Sequence, residues 1–206
     1  MEDKRTVCGL EVQFAMHVGP REVLFLLDPN DTETPYMVGY CDIIPGLGAE
    51  QINELVGSDD YLEVVDEFLT RVQRQVAQVR ADREMCDEPQ EVFGTAQCLP
   101  DGMKHSLESR VVILKPSALR PEYQNVAHQL IYCIGGNGMS PDGHGTAIFG
   151  KSVFSGENRD CRRHQVLGVL DPAAAPQWVR PGVCAIIEQK KEAGGKPKPK
   201  DRGDGR

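Results

Sequence analysis

The stretch Gly145-Thr146-Ala147-Ile148-Phe149-Gly150-Lys151-Ser152 spells G-x-x-x-x-G-K-S, the signature of a phosphate-binding loop. Taken literally it dictates a nucleotide-binding α/β fold. A buried strand would run into a glycine turn whose N–H groups face the phosphates, and the following helix would aim its positive end at the anion. Gly145, Gly150, Lys151 and Ser152 would then hold a nucleotide. The flanking residues oppose that fold. Upstream, Gly138-Met139-Ser140-Pro141-Asp142-Gly143-His144 is turn-forming. The nearest strand-like run, Leu130–Ile134, ends about ten residues too early. The loop interior Ala147-Ile148-Phe149 suits a strand. Downstream, Ser155-Gly156-Glu157-Asn158 would stop a helix within its first turns. Val166–Asp171 has the look of a strand ending in a metal-holding aspartate. It follows Ser152 too closely for a helix and return strand, which together need roughly thirty residues. The segment therefore reads as a strand over Thr146–Phe154 between glycine turns, with nucleotide binding as the alternative.

Working outward, the second half carries further short β-rich runs: Val111–Leu114, Leu130–Ile134, Gln165–Leu170 and a last strand over Val183–Ile187. Ser155–Asn158 reads as a hairpin turn joining the strands over Thr146–Phe154 and Gln165–Leu170. In the first half, Leu10, Val12, Phe14 and Met16 alternate with Glu11, Gln13 and Ala15, which predicts a half-buried strand. Val23–Leu27 is its hairpin partner and Tyr36–Ile44 a third strand. Ala49–Val56 suits a short helix. Ser58 then caps a long amphipathic helix over about 58–86, with Tyr61, Val65, Phe68, Val72, Val76 and Val79 along its buried face. The predicted class is α+β, mostly antiparallel sheet with one long helix. It is organised as one domain over 1–188, divisible into lobes 1–88 and 90–188. Residues 189–206 form a disordered basic tail without apolar side chains to bury.

The 206 residues contain no apolar run long enough for a membrane span, and the start lacks the apolar segment of a signal peptide. A cytoplasmic location is the expectation, and the seven scattered cysteines then read as buried small hydrophobes. The net charge is −8. The tail from Lys190 carries seven basic against three acidic residues, or +4, which leaves −12 on the body. An acidic body repels duplex DNA and suits a basic protein surface instead, leaving any direct nucleic-acid contact to the tail. Asp59, Asp60, Glu63, Asp66 and Glu67 crowd the start of the long helix. They complement its dipole and are the candidate residues for such a partner.

Reactive side chains gather between Cys133 and His164. Cys133, His144, Cys161 and His164 compose a soft tetrahedral donor set of the kind zinc prefers, although Cys161-x-x-His164 is only half of a zinc signature. No catalytic constellation and no cofactor follow from the pattern.

Read without the phosphate-loop frame, Gly135-Gly136-Asn137-Gly138, Ala147-Ile148-Phe149, Gly156-Glu157, Arg159, Arg163 and Gly168-Val169-Leu170 form one pattern. It resembles a glycine-rich domain of uncharacterised accessory proteins of bacterial mobile elements and prophages, over about residues 130–172. Lys151 and Ser152 fall at variable positions of that pattern. The resemblance implies a mobile-element setting, in which many accessory proteins block host restriction or CRISPR nucleases. The expected function is a non-enzymatic protein that binds a basic host protein surface, most sharply that of a nuclease such as a CRISPR effector.

Overall fold

A computed structural model describes residues 4–43 and 49–194. The chain divides into two compact units, Met1–Glu88 and Pro89–Arg206. The class is α+β, with two antiparallel sheets and one long helix.

The first unit is a five-stranded meander: β1 (Thr6–Val7), β2 (Leu10–Val18), β3 (Arg21–Leu27), β4 (Tyr36–Ile43) and β5 (Glu50–Ser58), paired in that order. The helix α1 (Tyr61–Met85) follows. Val23, Phe25, Val38 and Tyr40 form the face under α1, packed with Val64. Leu24, Leu26 and Cys41 form the opposite face with Val7. Because β3 is buried on both faces, its sequence is a continuous apolar run rather than an alternation. Among the described residues of this unit, no helix covers the second face. The sheet curls instead until β1 meets β5, and Arg5 binds Glu22 at 2.7 Å and Glu50 at 2.6 Å.

Three expectations change here. Ala49–Val56 is not a helix. Its residues fill the vacant edge of β4 as β5, and Ile52 lies opposite Cys41 on the curled face. The tertiary pairing overrides a weak helical pattern. Ser58 closes β5, and the N-cap is Asp60, whose carboxylate accepts from Leu62 N at 2.8 Å. The predicted face of α1 does meet the sheet, with Val65, Phe68 and Val72 packed on its core and Val79 buried, but it is wider than predicted: Val64, Arg71 and Gln75 are buried too, whereas Tyr61 is 43 % exposed. A pattern of apolar residues skips Arg71 and Gln75.

The second unit contains β6 (Val111–Leu114), α2 (Val126–Gln129), β7 (Leu130–Gly135), β8 (Ala147–Ser152), β9 (Asn158–Arg162), β10 (Val166–Val169) and α3 (Val179–Gly194). The sheet order is β10-β6-β7-β8-β9. One face packs on α3 through Ile113, Leu130, Tyr132, Val179 and Ile186. The other carries Val112, Ile131, Cys133, Ile148 and Cys161, against Leu107 and the irregular segment around Leu99 and Met103. Fully buried Gln129 ties the layers together, accepting from Phe93 N and donating to the carbonyls of Phe93 and Leu114.

The hairpin partner of β8 is β9, a polar strand, rather than the run that becomes β10. β10 returns to pair with β6 at the far side of the sheet. Val183–Ile187 is helical within α3. Val179, Val183, Ile186 and Ile187 recur at helical spacing and pack on one face, but the short window Val183–Ile187 reads alone as a continuous apolar run. The predicted tail is helical from 189 through Gly194, and its remainder, 195–206, lies outside the described residues.

Candidate functional site

The phosphate-loop signature lies in the sheet. Gly150 pairs with Cys133 and Arg159, and Lys151 with Tyr132 and Asn158. Ser152 N donates to Glu157 O at 2.8 Å, so main-chain groups a phosphate would need are used in the sheet and its hairpin. Lys151 Nζ donates to Gln189 Oε1 at 2.9 Å, and Ser152 Oγ accepts from Ser155 N. A hairpin follows the strand, not a helix. The glycines answer to packing. A Cβ on Gly150 would overlap Ile131 Cγ2 and lie 2.7 Å from Tyr132 O. A Cβ on Gly145 would overlap the Asn137 side chain, whose Oδ1 accepts from Ala147 N.

The four candidate zinc ligands do not converge. Cys133 and Cys161 face the core, where burial pushes their thiols up to about 12 and about 11, away from the thiolate a metal needs. His144 and His164 are exposed. Among the described residues, the one trio of donor types within 4.8 Å is Glu22, Cys41 and Glu50. The Arg5 guanidinium already bridges its two carboxylates and lies 3.9 Å from Cys41 Sγ. A fixed cation thus occupies the position a metal would take.

The five acidic residues at the start of α1 divide in two. Asp60 caps the helix, Glu63 accepts from Ser58 Oγ at 2.6 Å, and Glu67 binds Arg71 at 2.6 Å. Asp59 and Asp66 are exposed. The larger electrostatic feature is segregation. Residues 1–88 hold 19 acidic against 7 basic side chains, a net −12, and residues 89–206 hold 12 against 16, a net +4. All of the net negative charge sits in the first unit.

That unit also leaves a strand edge open. β1 pairs only with Leu10 and Glu11, and Val12 N donates to Arg5 O. Among the described residues nothing pairs with the outer edge of β2 over Gln13–Met16. Phe14 lies opposite Phe25 and Met16 opposite Val23, so both point to the α1 face, 58 % and 46 % exposed. α1 also exposes Leu62 and Leu69, 68 % and 50 %, on the side turned away from buried Arg71, with Asp66 beside them. The result is an acidic unit with an open edge that carries exposed Phe14 and Met16.

Phe14 and Met16 read from the sequence as the buried half of an alternation. The signal for the edge was nearby: Val12–Val18 has no Lys, Arg, Asp, Glu or Pro, the devices that guard an exposed strand.

No family model matches the chain, and neither a curated protein nor a solved structure matches it.

Proposed function

We propose that this is a non-catalytic binding protein whose acidic first unit captures a basic partner protein along the outer edge of β2. The observation that carries the reading is the unguarded edge at Gln13–Met16, set in a unit of net charge −12. An extended partner segment would continue the sheet beyond β2 by main-chain hydrogen bonds. Its apolar side chains would lie against Phe14 and Met16, and its Lys or Arg side chains would meet the acidic surface of the unit, which includes exposed Asp59 and Asp66. A second copy suits this edge poorly, since self-pairing would bring two strongly acidic units together.

The mobile-element resemblance narrows the partner class to host proteins that handle nucleic acid, above all nucleases with basic channels. An acidic protein seated there competes with the substrate backbone for the same cations. The test is calorimetric binding to a panel of CRISPR effector and restriction nucleases, at low and at physiological salt. Binding that weakens at least about tenfold with salt supports the reading. So does loss on Ala15→Pro, which removes an edge amide, and on paired reversal of Asp59 and Asp66 to Lys. Salt-independent binding that both variants retain would count against it.

A further inference from the structure

The second unit holds a cavity that the partner-binding reading does not use. Its volume is about 710 Å³, within the range of roughly 300–1,000 Å³ typical of small-molecule sites. The floor is Val111 at the start of β6 and Leu170 just after β10, and the wall is Val179 and Val183 on the first turns of α3. Arg110 and Arg180 complete the lining, which includes no Asp or Glu. Arg110 is half-buried and Arg180 exposed, and neither guanidinium has a side-chain hydrogen bond or ion pair among the described residues. In a protein of net charge −8, two cations without a counter-charge beside an apolar cavity are unusual.

We propose that this cavity binds a small amphipathic anion, a medium-chain or aryl carboxylate, with its apolar body against Val111, Leu170 and α3 and its carboxylate on Arg110 and Arg180. The apolar lining gains from excluding water and offers few polar partners to a polar body. The guanidinium is the side chain best matched to a carboxylate, which it holds by two parallel hydrogen bonds. A neutral head would leave both cations unanswered, and an amine would be repelled. The site lies wholly in the second unit, so the inference stands or falls apart from the role of β2.

Decanoate and decylamine share a chain and differ in the sign of the head, which makes them suitable calorimetric probes with the full-length protein. Decanoate is expected to bind saturably with one site, at least about tenfold tighter than decylamine. Arg110→Gln combined with Arg180→Gln should weaken decanoate about tenfold, the loss expected for a charge-assisted hydrogen bond, and should not weaken decylamine, whose repulsion it relieves. Decanoate should also slow alkylation of Cys184, on the cavity wall, without slowing that of exposed Cys86. Ala175→Trp, which fills the cavity, should abolish binding. If that variant fails to fold, the paired arginine variant at the rim still decides the question. Absence of saturable binding, equal binding of the two probes, or undiminished decanoate binding by the arginine pair would each overturn the proposal.

Discussion

Arg71 Nη1 donates to the main-chain carbonyl of Glu54 at 2.7 Å, and Glu54 is the residue at which β5 bulges. Val38 pairs with Val56 and Tyr40 with Asn53, so two residues of β5 oppose Gly39 alone, and Glu54 adopts a left-handed φ of 54°. A bulge frees a carbonyl from the ladder. The guanidinium satisfies it from the helix above, is held by Glu67 at 2.6 Å, and lies 5.2 Å from the Tyr40 ring centroid. A charged residue at the centre of a helix face is thus a fastener between α1 and the sheet.

Arg71→Ala should therefore destabilise the first unit by about 3 kcal/mol, the order expected when one member of a buried, hydrogen-bonded ionic contact is removed. Arg71→Lys should recover only part of this, because one ammonium cannot reproduce the fork. Urea denaturation of the full chain, followed by a signal from the first unit, measures both.

Gly150 and Lys151 are adjacent and should behave oppositely. Gly150→Ala drives a methyl into Ile131 and the Tyr132 carbonyl and should cost more than about 2 kcal/mol. Lys151→Ala removes one exposed bond to Gln189 and should cost under about 0.5 kcal/mol. Neither ATP nor GTP with Mg²⁺ should raise the melting temperature of the parent or of Lys151→Ala. A nucleotide-dependent rise lost in that variant would restore the phosphate-loop reading.

Burial raises the Cys133 thiol from its ordinary 9.0 to about 12, and the Cys161 thiol to about 11. The folded protein then holds these protons more tightly than the unfolded chain does. Their contribution to stability is complete below about pH 9 and is lost as pH rises through 11 to 12. Melting temperatures should fall from about pH 9 upward, and Cys133→Val should flatten that fall. In the native state iodoacetamide should modify exposed Cys8, Cys86 and Cys184 and reach Cys133 and Cys161 only after denaturation.

Chelation should leave the fold unchanged. His144 and His164 are exposed and the two cysteines are turned into the core. Elemental analysis should find no stoichiometric zinc, and EDTA should not shift the melting temperature. Zinc at one equivalent, lost on Cys161→Ser, would reinstate the site.

Much of the architecture was legible because it rests on local periodicity. Val23–Leu27, Val111–Leu114 and Leu130–Ile134 are apolar runs of strand length, and α1 combines helical spacing with charges ordered to suit its dipole. What escaped depended on distant residues. β5 is a strand because β4 offers it an edge, and β9 is one because β8 does, although Asn158–Arg162 is almost wholly polar. On α1, what escaped was the buried Arg71, whose position makes sense only with the Glu54 carbonyl in view. Of the candidate sites, the charge imbalance was countable in the sequence, whereas the open edge of β2 required knowing that β1 stops after two residues.

The packing at Gly145 and Gly150 bears on how variation in this chain would be read. Gly150 excludes a side chain because the Tyr132 carbonyl is backbone and cannot move aside, and Gly145 requires Asn137 to shift, while half-buried Lys151 answers to no comparable constraint. A library of variants selected only for folding should hold Gly150 fixed and let Lys151 drift. Gly150 retained without the lysine would then be the genetic signature of a sheet packed too closely for a methyl group, distinguishable by counting substitutions from a motif kept for binding phosphate.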